Sequence, residues 1–215
     1  MTDPKSTVLW LSRHGQTVWH RENRYAGTSD VDLTATGGRQ ADQLASWTRR
    51  HQPDAVVSSP VRRAIETATP SAAAIGLEPV VVEGLREVHF GLAEGYTLAE
   101  LADRDPAMVD RFRDDPVNNP FPGADPPAQA AERGADALRQ VAADRPGQRV
   151  LVVAHNTLLR LALCHLLGID VNRYRTVFPR LDNGTLTELS IAADGTASLL
   201  SFNVPLSPTT TVHQT

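Results

Sequence analysis

Short apolar runs bounded by turn residues recur along this chain, and between them apolar positions return at helical spacing. Val8–Ser12, Ala55–Val57, Val80–Val82 and Val150–Ala154 have the length and composition of buried strands. Thr185–Ile191 and Ala197–Phe202 predict two more, joined at Asp194-Gly195, a favourable hairpin turn. A helix is predicted over Ala35–Arg50, capped by Thr34, with Ala41, Leu44 and Trp47 on its buried face; Gly37 and Gly38 weaken its first turn. A second helix is expected to start at Ser59 as cap with Pro60 at its first position, where a missing N–H costs nothing. It carries Arg62, Arg63, Ile65 and Ala68, and Pro70 should kink or interrupt it. Thr97–Arg104 and Pro106–Asp114 predict short helices, Asp115–Pro127 is a proline-rich loop, and Ala128–Ala143 and Thr157–Leu167 predict helices again.

Strands alternating with helices predict an α/β fold, a three-layer α/β/α sandwich on a mostly parallel sheet with the final hairpin as an antiparallel edge. One domain is expected over residues 1–204, with a helical lid insertion at about 96–145 and a disordered Pro/Thr-rich tail over 205–215.

Composition narrows the partners. The chain has 215 residues, 41% of them apolar, enough for a single core. A net charge of −4 without a basic stripe argues against nucleic acid. The lone cysteine, Cys164, excludes an internal disulfide and sits in an apolar helical pattern as a buried small hydrophobe. No leader-like start and no membrane-length apolar stretch is present, so a cytoplasmic protein without membrane contact is expected.

The strand ends carry the chemistry. In open α/β sheets the ligand crevice lies beyond the carboxyl ends of the strands. The first predicted strand ends at Arg13-His14-Gly15, the second at Ser58-Ser59 with Arg62 and Arg63 close behind, the third just before Glu87 and the fourth at His155. Arginine forks and a helix N-terminus suit an oxyanion, most naturally phosphate. Histidine acts as base or nucleophile near neutral pH. No clustered metal-ligand spacing is seen, and no metal or cofactor is expected.

Arg13-His14-Gly15-Gln16-Thr17 resembles the R-H-G-[EQ]-T signature of the histidine phosphatase superfamily, the phosphoglycerate mutase-like fold. Ser58-Ser59-Pro60-Val61-Arg62-Arg63-Ala64-Ile65-Glu66-Thr67-Ala68 resembles its second signature, Glu87-Val88-His89-Phe90-Gly91-Leu92-Ala93-Glu94-Gly95 its third and Val152-Val153-Ala154-His155 its fourth. Leu181-Asp182-Asn183 fits a late segment of the family. The resemblance implies a phosphomonoester hydrolase acting on a small phosphorylated metabolite. His14 would become a phosphohistidine, Glu87 would protonate the leaving oxygen and then deprotonate water, and Arg13, Arg63 and His155 would surround the phosphoryl oxygens. Arg63, directly before Ala64, matches the motif arginine, which leaves Arg62 as a solvated neighbour. Gln16, Thr17, His20 and Asn156 are further candidate phosphate contacts.

Three positions depart from the family pattern. His20 stands where Asn is frequent, Asn156 where Gly usually follows the fourth-motif histidine, and Phe121-Pro122-Gly123-Ala124-Asp125 where a lid segment more often reads P-G-G-E-S. Of the other histidines, His89 is read as non-catalytic and His165 as structural; His213 belongs to the tail. A cofactor-dependent phosphoglycerate mutase is the competing reading, but Glu94-Gly95 is followed by Tyr96-Thr97-Leu98 without the lysine expected there, and Arg111–Pro116 only faintly resembles the basic lid run. A non-catalytic phosphate-binding regulatory module is the third. Tyr96, Phe90, Phe121 and Arg111 are candidate pocket-lining residues. The expected partner is a small-molecule phosphate ester, and the pattern is compatible with a homodimer.

Overall fold

The computed structural model describes residues 6–206. Six strands, β1 (Thr7–Arg13), β2 (Ala55–Ser58), β3 (Val80–Val81), β4 (Arg149–Ala154), β5 (Thr185–Ile191) and β6 (Ala197–Pro205), form one sheet in the order β3-β2-β4-β1-β5-β6. The first four run parallel; β5 is antiparallel to β1 and to β6.

Alternation along the strands assigns the two faces. From β4, Val150, Val152 and Ala154 join Leu9 and Leu11 of β1 under helices α5 (Pro127–Ala143) and α6 (Asn156–Leu166). Leu151 and Val153 point the other way, packing with Leu44, Trp47, Ala64 and Ala68 from α1 (Ala35–His51) and α2 (Arg62–Ala73). Because β4 is buried on both faces, it reads as an unbroken apolar run. The expected three-layer α/β/α sandwich is therefore the observed fold. α6 is the extreme case: Leu158, Leu159, Leu161, Ala162 and Leu163 are all buried, with the charged Arg160 among them.

A third, smaller core lies above the carboxyl ends of the strands. There α3 (Leu98–Arg104) and α4 (Pro106–Asp114) bury Leu101, Val109 and Phe112 with Ala93 and Phe121. Thr97 and Glu100 form a reciprocal cap on α3, and Asp105 caps α4 ahead of Pro106. This cluster is tighter than the expected 96–145 insertion, because α5 packs on α6 and belongs to the main sandwich.

Local differences from expectation have local causes. Ser59 does not cap α2: its hydroxyl accepts from Val61 N–H at 3.2 Å and the helix begins at Arg62, so Pro60 lies in the turn before it. Pro70 is accommodated inside α2, which runs on to Ala73. Val204 and Pro205, assigned to the tail or next to it, extend β6 by pairing with Leu186 and Thr185. The rest of the expected tail, from Ser207 on and including His213, lies outside the described residues. Between α6 and β5, where the sequence pattern predicts no element, the chain forms a short helix α7 (Tyr174–Val177).

Candidate active site

The β1–β4 ladder continues one step past the strands: His14 N–H donates to Ala154 O at 3.0 Å, which sets His14 beside His155. Their ring centroids are 5.1 Å apart. Ser59 N–H extends the neighbouring ladder to Val153 O at 3.0 Å, and α2 then carries Arg63 into the same crevice. Arg13, His14, Arg63, Glu87 and His155 thus meet at one place beyond the carboxyl ends of the strands.

Donor and acceptor roles fix the state of each histidine. His14 Nδ1 lies 2.8 Å from Gly15 O, which only an N–H can satisfy, so Nε2 carries the lone pair. Arg63 Nε donates to that Nε2 at 3.1 Å. The other arms of Arg63 donate to Ser29 O at 3.0 Å, to Gly27 O at 2.6 Å and to His155 Nδ1 at 3.2 Å. His155 then presents Nε2–H to Ser59 Oγ at 2.7 Å. Burial, followed by the neighbouring positive charges, holds both His14 and His155 well below the ordinary histidine range. Both rings are therefore neutral at pH 7, and His14 offers a lone pair.

Arg13 gives Nη1 to Leu181 O at 2.9 Å, while its buried Nε has no partner among the described residues. Burial lowers its pKa to about 10, with Glu87 opposing the shift. Glu87 is 5% exposed. Its carboxylate accepts from Val88 N–H at 3.0 Å and from Leu158 and Thr157 N–H, in the first turn of α6, at 2.8 and 3.1 Å. It makes no pair with Arg86, which binds Asp125 at 2.8 Å instead.

His20 is an unusual neighbour. Its Nδ1 lies 2.9 Å from Thr17 N and 2.8 Å from Thr17 Oγ1. Arg13, which can only donate, gives Nη2 to His20 Nε2 at 2.6 Å, and Asn183 Nδ2 reaches the same atom at 3.2 Å. Asn183 Nδ2 also donates to His14 O at 2.7 Å, which ties His20 and Arg13 to the His14 backbone. Burial and then Arg13 push the His20 pKa down to about 4.

A cavity of about 290 Å³ opens from this cage. Thr17, His20 and Asn156 line it, and Asn156 Oδ1 is buried without a partner among the described residues. Gln16 is turned away: its Oε1 accepts from Thr34 Oγ1 at 2.8 Å and it does not line the cavity. Arg62 is bound outside to Asp30 at 2.6 Å and to Asp32, so Arg63 alone of that pair enters the cage. Among the expected lining residues only Phe90 is in place. Phe121 and Tyr96 serve the third core instead, Arg104 lies over the Tyr96 ring, and Arg111 is exposed on α4. The outer wall comes from Arg24, Tyr25, Arg160, Tyr174 and Arg175, none of them singled out from sequence. Arg160 left a usable signal: a charge inside the apolar run Leu158–Leu163, five residues after His155, is costly to bury without a purpose. Arg175 and Tyr25 left none.

Glu94 ties this wall to the cage. It accepts from Thr28 and Ser29 N–H at 3.1 Å each, from the Ser29 hydroxyl and from Phe90 N–H at 3.2 Å. The loop it gathers is the one whose carbonyls, Gly27 O and Ser29 O, hold Arg63. Among the described residues no group of three or more His, Cys, Asp or Glu side chains is placed to hold a metal ion, and no helix is long and apolar enough to cross a membrane.

The fold and this crevice define a class, and sequence comparison agrees with it. The chain belongs to the histidine phosphatase superfamily (branch 1), whose family model matches residues 9–204. A bifunctional protein of Mycobacterium tuberculosis is 38% identical over 204 residues, covering 92% of this chain and 54% of that protein, so the chain spans about half the length of that relative. Phosphoserine phosphatase 1 of Hydrogenobacter thermophilus is 31% identical over 166 residues, 77% of this chain and 79% of that one. Among solved structures, a mycobacterial glucosyl-3-phosphoglycerate phosphatase superposes with a TM-score of 0.83 at 27% identity, covering 93% of this chain and 99% of that one.

Proposed function

We propose that this protein is a phosphomonoester hydrolase acting on a small phosphorylated metabolite through a phosphohistidine on His14. The observation that carries the reading is a neutral, buried His14 whose Nε2 lone pair points into the cage and accepts from Arg63 Nε, with Arg13, His155 and Glu87 beside it. The lone pair attacks phosphorus as the ester P–O bond breaks. Glu87 gives its proton to the leaving oxygen, then takes one from the water that attacks the phosphohistidine, and phosphate leaves with His14 restored. Arg13 and Arg63 hold the non-bridging oxygens, where charge develops in the transition state, and His155, tied to Arg63 and Ser59, positions the Arg63 guanidinium. Thr17, His20 and Asn156 line the same space. The phosphatase names among the relatives support hydrolysis over a mutase.

The test is phosphate release from a monoester panel without added metal, comparing wild type with His14→Ala. Turnover by wild type and a loss of about a thousandfold or more in the variant is the expected result, the scale for removing a nucleophile. No release by wild type, with phosphoryl exchange between phosphoglycerates primed by a bisphosphate, makes the protein a mutase; neither activity leaves a phosphate-binding module.

A further inference from the structure

β6 lies at the edge of the sheet, paired to β5 alone, and its register slips between Leu186 and Glu188. Phe202 and Asn203 there stand opposite Thr187, a β-bulge, and Asn203 has φ +55°. Glycine is the usual residue in that conformation, because it has no Cβ. Asparagine tolerates it better than most side chains. Here Asn203 N–H donates to Thr187 Oγ1 at 3.1 Å.

The side chain explains the asparagine. Its Oδ1 accepts from Asp182 N–H at 2.8 Å and lies 2.7 Å from the Thr185 hydroxyl, and its Nδ2 donates to Asp182 Oδ2 at 3.1 Å. Only an amide meets both an N–H and a carboxylate. The Asp182 N–H belongs to the same peptide unit as Leu181 C=O, and that carbonyl accepts from Arg13 Nη1 at 2.9 Å. A trans peptide unit is planar, with its N–H and C=O pointing opposite ways. Holding the N–H on β6 therefore aims the carbonyl at Arg13. Burial of Leu181 in the main core fixes its side chain and leaves the rotation of that peptide to Asn203. Among the described residues the Arg13 guanidinium has one other partner, His20 Nε2. The residues that follow continue the clamp: Gly184 N–H donates to Arg13 O at 3.0 Å and Asn183 Nδ2 to His14 O at 2.7 Å.

We propose that Asn203 is a positioning residue for the reaction: from the edge of the sheet it sets the Leu181–Asp182 peptide, and through it the guanidinium of Arg13 that holds a phosphoryl oxygen. The proposal deepens the phosphatase reading and rests on it for the oxyanion against Arg13, not for hydrolysis.

Calorimetry with tungstate, a tetrahedral dianion, reads the cage without turnover. Asn203→Gly keeps the bulge and removes the amide. Asn203→Asp keeps the oxygen and sets a second carboxylate against Asp182, and it carries the test should Asn203→Gly not fold. Each should weaken tungstate binding about tenfold, within the range by which members of one hydrogen-bond network couple. In an Arg13→Ala background, where Arg63 still binds the anion, the same changes should cost about twofold or less, the scatter of uncoupled sites. Asn203→Asp/Asp182→Asn exchanges the two groups and should return the affinity to within about threefold of wild type, the remainder being the exposed Arg180–Asp182 pair. A protein that is merely destabilised would instead show lower stoichiometry at unchanged affinity. Unchanged affinity in the single variants, or equal losses with and without Arg13, overturns the assignment. Turnover of p-nitrophenyl phosphate by wild type is measured beside it. Turnover without the Arg13-dependent loss keeps the phosphatase reading and removes the role of Asn203; the loss without turnover does the reverse.

Discussion

The two ends of the cavity are built differently. The inner end is made where strands stop: β1 delivers Arg13 and His14, β4 delivers His155, and α2, directly after β2, delivers Arg63. Each is fixed by a ladder hydrogen bond or by a helix anchored in the main core. The outer end is assembled mostly outside the sheet, from the Arg24–Gly27 loop, Phe90 and α7, held by single bridges such as Tyr25–Glu94 and Phe90–Ala124, with Arg160 of α6 beside them. The inner end can place charges within a few tenths of an ångström, which phosphoryl transfer requires. The outer end can exchange one side chain for another without disturbing the sheet, which suits a choice of leaving group. A fold of this kind separates the reaction from the choice of substrate.

Substitutions at the inner end should therefore lower turnover on every ester, and those at the outer end should change which ester is preferred. After His14→Ala, the next largest effect is expected from Glu87→Gln. Loss of the proton donor should cost about 10²–10⁴-fold in kcat on alkyl esters. The loss should be much smaller in the first step with p-nitrophenyl phosphate, whose leaving group needs no proton, as burst kinetics will read. An equal loss on both esters would make Glu87 a structural anchor for α6.

Glu94→Gln tests the joint between the two ends. The amide sets donors against the N–H groups of Thr28 and Ser29, loosening the loop that holds Arg63. A drop of roughly 10- to 100-fold in kcat, with KM nearly unchanged, is expected from a small misplacement of that arginine. A change confined to KM would assign Glu94 to the outer wall.

The smallest effect concerns His20. With a folded pKa of about 4 against the ordinary 6.5, the native state binds fewer protons than the unfolded chain between those values. The stability gained from neutral His20 is full above pH 6.5 and is lost as pH falls towards 4. His20→Asn should flatten that fall by about 1 kcal/mol after allowance for solvent screening, roughly 2–4 °C in Tm between pH 7 and 4.5. An unchanged slope would mean that His14 and His155 dominate the acid limb.

The same division explains what could be read from the chain. β4 is apolar because both faces are covered, so its end, and His155 with it, stood out in the sequence. The cage residues share short motifs with strand or helix starts, and local pattern reaches them. The sequence leaves Phe121 and Tyr96 open between pocket wall and core, because aromatic residues in an insertion suit either; packing with Leu101 and Val109 puts them in the core. Gln16 was misplaced by one side-chain direction, set by Thr34, which is distant in sequence. Arg175 and Tyr25 are brought together only by tertiary packing around Phe112, and no periodicity encodes that.

Gly15 and Gly37 carry a last consequence. A Cβ on Gly15 would stand 2.6 Å from Gly37 O, and one on Gly37 would overlap the carbonyl of Gln16. The start of α1 is thus seated against the loop that bears His14, which is why Gly37 is tolerated in a first turn where it weakens the helix. In a saturation-mutagenesis screen scored by activity, both glycines should reject every side chain as firmly as His14 does, whereas Gly38, with nothing within 4 Å of its added Cβ, should accept many. Intolerance at a position in such a screen would report backbone clearance as readily as chemistry, and only abundance measured alongside activity would separate the two.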